Sequence, residues 1–285
     1  MGSAFQQALD ADGEEWQAVS RSDVDIYSRS ALRDRIRSSG ATFLINCAGF
    51  TGKPNVDACE VHKSDTLMGN AVLPGILREV CEDEDLPWGQ VSSGCIYTGR
   101  RQDGKGFKED DPPNFSFRSP PCSFYSGTKA LGEEVLEGAE NCFVWRLRIP
   151  FDHVDGPRNY LSKLMRYERL LEAENSISHL GEFVKACLDC HRKEIPYGVY
   201  NVTNPGAVTT SMVVQWIQEE LKIDRPFDFF ESEESFMISA AQTPRSNCVL
   251  DTNKLQDVGI QLTSVEDAIR TSLQTGDWSE SLGSK

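Results

Sequence analysis

Tyr125 and Lys129, in Tyr125-Ser-Gly-Thr-Lys129, lie four residues apart, which on a helix sets a phenol and an ammonium on one face. A neighbouring cation favours the phenolate and lowers its pKa from about 10, as a group that exchanges a proton with a carbonyl or alcohol oxygen requires. Alone the pair is a weak signal, because it arises by chance in about a third of chains of this size and then marks an ordinary surface helix. Val91-Ser-Ser93-Gly-Cys95-Ile-Tyr97 strengthens it: Ser93 ends an apolar run, and its hydroxyl can hydrogen-bond the same reacting oxygen. Asn46-Cys-Ala48-Gly49 ends the preceding apolar run, and Asn70 follows on a helical segment. Taken singly, Asn46 reads equally as turn chemistry and Asn70 as an exposed helix residue.

These groups meet only if strands bring their carboxyl ends to one crevice. Apolar runs of strand length at 16–19, 42–48, 88–92 and 142–147 alternate with 3.6-period segments at 30–39, 65–82 and 123–138. That is the pattern of a parallel sheet covered by helices, and the expected fold is α/β with a doubly wound parallel sheet, whose ligands lie beyond the strand carboxyl ends. After Pro150 the pattern changes to helices at 159–171, 179–191, 210–221 and 264–273 with a strand at 199–202. The expected division is a sheet domain over 1–150 and a smaller lobe over 151–285. Residues 99–121, rich in Gly and Pro, read as a long loop of the kind that often faces substrate.

Composition narrows the class. With 39% hydrophobic and 26% charged residues the chain packs a core, and its net charge of −15 argues against nucleic acid and anionic membrane partners. No apolar run approaches the roughly 20 residues that span a bilayer, and the first ten residues lack a signal peptide's basic and apolar parts, so a cytoplasmic location is expected. The nine cysteines are odd in number and mostly sit in apolar segments, which suits reduced thiols. Cys187-Leu-Asp-Cys190-His191 spells a haem-attachment pattern, but on a helical stretch without an export signal; with no second ligand pair, neither haem nor any metal is expected.

Ser93, Tyr125 and Lys129 with Asn46-Cys-Ala-Gly49 resemble the extended short-chain dehydrogenase/reductases. More narrowly, the run from Asn46 through Thr51-Gly-Lys53-Pro-Asn55-Val-Asp57 resembles plant-type nucleotide-rhamnose synthases, as do Ser93-Gly-Cys-Ile-Tyr97, Gly106-Phe-Lys-Glu109, Arg146-Leu-Arg148-Ile-Pro150, Pro157-Arg-Asn159, Asn201-Val-Thr-Asn204 and Arg245-Ser-Asn247. Those proteins are bifunctional 3,5-epimerase/4-reductases related to dTDP-4-dehydrorhamnose reductase. The resemblance implies an NAD(P)-binding Rossmann fold and a nucleoside-diphosphate 4-keto-6-deoxy sugar as substrate. NADPH would deliver hydride to C4, with NADH as the alternative cofactor. Tyr125 would donate the proton, Lys129 would lower its pKa and hold the nicotinamide ribose, and Ser93 would polarise the carbonyl. By position, Cys95 and Lys163 would be the acid–base pair that inverts C3 and C5. Gly2, Arg21, Asp25, Asn46, Ala48, Gly49 and Asn70 would join Tyr125 and Lys129 around the cofactor, and Lys53, Asn55, Asn159, Asn204 and Arg245 would contact substrate. Arg21 follows the 16–19 run with no acidic residue there to grip a ribose 2′-hydroxyl, which favours a 2′-phosphate and hence NADPH. A homodimer is left open. A catalytically silent reductase-like regulatory subunit remains the alternative; it has no need of the Cys95 and Lys163 pair.

The amino terminus departs from the family pattern. Relatives open with a strand and Gly-x-x-Gly-x-x-Gly, whose amides hold the pyrophosphate. Here Met1-Gly2 leads straight into an amphipathic helix from Ser3 to Leu9, and Gly2 alone matches, as the last glycine. The expectation is a chain whose first strand and most of its Gly-rich loop are missing upstream of Met1.

Overall fold

The computed structural model describes residues 1–283. Four parallel strands form the main sheet in sequential order: β1 (Leu44–Asn46), β2 (Trp88–Ser93), β3 (Cys142–Leu147) and β4 (Gly198–Asn201). The register pairs Asn46 with Gln90, Ser93 with Leu147 and Arg146 with Asn201, which brings the carboxyl ends of these strands to one edge. β2 and β3 are buried on both faces, as continuous apolar strands under helices must be. Gly89 makes room for the buried Trp145 indole, since a Cβ there would stand 2.0 Å from its ring.

Helices cover both faces. On one side α1 (Gly2–Asp12) and α8 (Leu180–Arg192) bury Phe5, Phe183 and Cys187 against Phe143, Trp145 and Tyr200. On the other, α2 (Arg29–Ser39) and α5 (Leu73–Asp83) bury Leu32, Leu77 and Val80 against Trp88 and Val144. Between β1 and α5 run the short α3 (Ala58–Val61) and α4 (Lys63–Leu67) and a π-helical turn at Met68–Val72; α6 (Phe124–Glu134) joins β2 to β3. A separate apolar core lies wholly beyond Pro150. Its helices are α7 (Tyr160–Arg166), α9 (Thr210–Leu221) and α11 (Val265–Thr275), packed around Leu161, Ile217, Ile269 and Trp278. Although α8 and β4 follow Pro150 in sequence, they belong to the first sheet and its cover. No helix among the described residues is long and apolar enough to cross a membrane.

Several expected elements change. Residues 16–19 form no strand: Trp16 and Val19 are exposed, and Trp16 Nε1 donates to Asp10 Oδ1 at 2.7 Å. A strand needs a lateral partner, and the ladder stops at β1, so that backbone stays with solvent. The helix expected over 159–171 ends at Arg166, and Arg169–Leu170 instead pair with Asp228–Phe229. An unexpected helix, α10 (Glu233–Ala240), buries none of its residues and therefore left no periodic signal. Residues 99–121 remain irregular but are stitched to the far end of the chain through Gly99 with Cys248 and Phe107 with Leu250.

Candidate active site

The helix that carries Tyr125 and Lys129 is fixed at its start. Ser123 caps α6 by accepting from Ser126 N at 3.1 Å, and Glu60 Oε1 accepts from Phe124 N at 2.7 Å, so two of the helix's first amides are satisfied. Its axis can approach the π-helical turn because Gly132 has no side chain: a Cβ there would lie 2.1 Å from the Asn70 carbonyl oxygen. Ser93 ends β2, and its hydroxyl accepts from Cys95 N at 3.3 Å. Tyr125, Lys129, Ser93 and Cys95 thereby occupy one buried neighbourhood beyond the strand.

The electrostatics there differ from the sequence expectation. Burial pushes the Tyr125 phenol well above its usual pKa, with the Ser93 hydroxyl and Arg148 acting against it. Burial also lowers the Lys129 ammonium, opposed by Cys95 and Glu133. At both groups loss of water outweighs the neighbouring charges, Arg148 at Tyr125 and Cys95 with Glu133 at Lys129. A phenol held protonated is a proton donor, as reduction of a ketone requires.

Asn46 and Asn70 are both engaged within the protein. Asn46 is buried, donates to Gln90 Oε1 at 2.7 Å and accepts from Ala48 N at 3.0 Å, so its amide is spent on the turn after β1. Asn70 holds both sides of the Phe50 peptide, accepting from its N and donating to its O at 2.9 Å each, and also donates to Thr128 Oγ1 at 3.2 Å. The π-helical turn aims this side chain at the loop, a common use of such turns. The loop it fixes runs on from Gly49. At Gly49 a Cβ would stand 3.0 Å from Asn70 Oδ1 and 3.4 Å from Lys129 Nζ, so glycine keeps space open beside the ammonium.

Cys95 is buried and its thiol is pushed up by loss of water, against the pull of Ser93, Arg148, Ser126 and Lys129. Lys163 lies on α7, where burial and the Arg158 guanidinium both lower it; Arg158 reaches Thr51 Oγ1 at 3.3 Å. That contact brings the α7 segment to the loop that Gly49 begins, but no contact joins Lys163 to Cys95.

The remaining candidates divide. Gly2 opens α1, whose N-cap Met1 offers no side-chain cap, and Arg21 is exposed in a turn. Asp25 accepts from Tyr27 N at 3.0 Å as a local turn, and Asn55 does the same for Asp57 N at 2.8 Å; Lys53 beside it is exposed. Asn159 and Asn204 are buried and hydrogen-bonded within the protein. Asn159 caps α7 through Leu161 N at 3.0 Å and donates to Asp152 and Val154, while Asn204 accepts from His179 N at 2.6 Å and donates to Glu182 and Thr263. Arg245 is engaged by Asp57 through two bonds, of 2.6 and 2.8 Å. Sequence reasoning missed the carboxylates behind the site, Glu60 and Glu133. Glu133 lies one turn after Lys129, a spacing that would have flagged it.

A parallel sheet with helices on both faces, and Ser93, Tyr125 and Lys129 gathered beyond β2, define the extended short-chain dehydrogenase/reductase class. Residues 1–277 match the family model described as the RmlD substrate binding domain, and the chain belongs to that family. It is 34% identical over 254 residues to the bifunctional dTDP-4-dehydrorhamnose 3,5-epimerase/dTDP-4-dehydrorhamnose reductase of Arabidopsis thaliana, covering 85% of this chain and 82% of the relative. A trifunctional UDP-glucose 4,6-dehydratase/UDP-4-keto-6-deoxy-D-glucose 3,5-epimerase/UDP-4-keto-L-rhamnose-reductase of the same plant is also 34% identical over 85% of this chain, which spans only 37% of that relative's length. Among solved structures, the L780 UDP-rhamnose synthase of Acanthamoeba polyphaga mimivirus superposes with a TM-score of 0.87 at 25% identity, covering 96% of this chain and 95% of that one.

Proposed function

We propose that the protein converts a nucleoside-diphosphate 4-keto-6-deoxy sugar to the NDP-rhamnose, inverting C3 and C5 and reducing C4 with NADPH. The observation that carries this reading is the gathering of the half-buried Ser93 and Tyr125 with the buried Cys95 and Lys129 at the end of β2. It stands in a chain 34% identical to a bifunctional epimerase/reductase over most of both lengths.

The residues present suit the nicotinamide end of the cofactor: Gly49 leaves room beside Lys129 Nζ, and the ammonium, 7% exposed, has space to meet ribose hydroxyls. When bound, NADPH supplies the hydride. Lys129 would hold the ribose, Arg21 would pair with a 2′-phosphate, and the start of α1 at Gly2, which has no side-chain cap, would take part of the pyrophosphate. Ser93 hydrogen-bonds the C4 oxygen and Tyr125, held protonated by burial, delivers the proton that makes it a hydroxyl.

The directions at Cys95 and Lys163 suit inversion before reduction. Lys163, whose pKa burial and Arg158 lower, takes a proton from the ring carbon as its neutral amine, and the C–H electron pair moves into the enolate on the C4 oxygen. Cys95, favoured as the thiol, gives its proton to the opposite face, and the sulfur keeps the S–H pair as thiolate. Exchange with water resets both groups. Residues 1–150 with α8 and β4 would carry the cofactor, and most of 151–285 the nucleotide sugar. Free cysteines suit work in the reducing cytoplasm, and sedimentation at assay concentration tests for a homodimer.

The test is incubation of the purified chain with NADPH and UDP- or dTDP-4-keto-6-deoxyglucose. The expected outcome is NADPH oxidation with rhamnose as the product sugar. Binding of the nucleotide sugar without any turnover would instead support the regulatory-subunit reading.

A further inference from the structure

A guanidinium removed from water needs a counter-charge. Arg146 has one in Glu133, but Arg148, two residues on and 4% exposed, takes part in no ion pair among the described residues. Its hydrogen-bond acceptors are all neutral: Asn175 Oδ1, Ser246 O at 2.8 Å and Ser246 Oγ at 3.1 Å. Its Nε is buried with no partner. The stem lies along the peptide that carries Cys95, since a Cβ on Gly94 would stand 3.0 Å from both Arg148 Cγ and Cδ. Cys248 Sγ donates to the Gly94 carbonyl oxygen at 3.2 Å from the other side.

The charged and titratable groups around Cys95 come from every element packed there. They are Tyr125 and Lys129 on α6, Cys59 on α3, Cys122 ahead of α6, Cys248 in the carboxyl-terminal segment and Arg148 after β3. Two of these are cations. Lys129 faces the Gly49 opening, while Arg148 is held by neutral acceptors and has no anion of its own. We propose that Arg148 is the counter-ion of the Cys95 thiolate, a positioning residue that lets the sulfur give up and regain a proton during epimerisation. The proposal rests on the assignment of Cys95 to proton transfer made above.

The difference in thiolate ultraviolet absorbance between the protein and its Cys95→Ser variant, titrated against pH, reads the ionisation of this one sulfur. Repeated in an Arg148→Met background, the midpoint should rise by at least about one pH unit, a tenfold loss of thiolate. Arg148→Lys, which keeps the charge, should recover most of the shift. Arg148→Gln carries the same test if the methionine variant does not fold. Solvent deuterium incorporation at C3 and C5 should fall at least ~10-fold further than reduction of an already epimerised 4-keto sugar. An unmoved Cys95 midpoint in a folded neutral variant overturns the proposal and leaves Lys129 as the counter-ion. Absence of deuterium exchange in the unmodified protein, with the midpoint shift intact, refutes the epimerase reading but leaves Arg148 as the thiolate's partner.

Discussion

At the scale of single residues the site is governed by loss of water rather than by the Tyr–Lys contact that first marks it. Tyr125 is raised and Lys129 lowered by the same burial, so the phenol keeps its proton through the neutral range and the ammonium is the group that titrates first on the alkaline side. Tyr125→Phe should therefore remove the proton donor and lower kcat for reduction by at least ~100-fold with little change in NADPH affinity. Steady-state rates and fluorescence titration of NADPH check the two parts, and an unchanged kcat would exclude Tyr125 as the donor. Lys129 makes a separable prediction. Because its pKa lies below the ordinary lysine value, NADPH affinity should decline as pH rises through that lowered pKa, and it should be weaker but flat with pH in Lys129→Met. The same alkaline decline persisting in the variant would assign it to another group.

At the scale of elements, what positions α6 is a buried ion pair. Arg146 on β3 binds Glu133 on α6 through Nη2 at 2.6 Å and Nε at 3.0 Å, with side-chain exposures of 5% and 11%, and Ser92 Oγ on β2 donates to the same carboxylate at 2.6 Å. The helix bearing Tyr125 is thus pinned to both central strands. Glu133→Ala leaves the Arg146 charge buried and unpaired and should cost ~3–5 kcal/mol in denaturant unfolding, whereas Glu133→Gln, which keeps the shape, should cost less. Equal losses in the two variants would mean that packing, not charge, is at work. The parts of this arrangement differ in how legible they are in the sequence. β2, β3 and α6 could be read because burial on both faces, or on one helical face, writes an apolar pattern. Residues 16–19 carry the same pattern without a strand beside them, and a sequence records the preference but not the partner. Asn46, Asn70, Asn159 and Asn204 have the residue type of a ligand contact, and their amides also bond groups outside their own elements, at Gln90, Phe50, Asp152 and His179, which no local pattern announces.

At the scale of the whole molecule, the segment after α10 is fastened across the chain to the loop and helix before the site. Arg245 forks Asp57, and Thr243 donates to Glu60 Oε1 at 2.9 Å, the oxygen that also caps α6 at Phe124. These contacts span more than 180 positions, which explains why no local pattern announced them. They tie the segment after α10 to the start of the helix of Tyr125. The Arg245 hydrogen bonds hold the Asp57 carboxyl below its usual pKa of 3.8. A carboxylate depressed in the folded state contributes stability that is complete above the unfolded pKa and is lost as pH falls through the folded value. Asp57→Asn should accordingly lower stability at neutral pH by ~1.5–3 kcal/mol, the range for hydrogen bonds to a charged group. The two proteins should converge as pH drops below the lowered Asp57 pKa, where the carboxyl of the unmodified chain is also neutral. Urea unfolding of both across acidic and neutral pH measures the gap directly. A gap that stays constant down to the most acid pH at which both remain folded would show that Asp57 acts through packing and not through its charge.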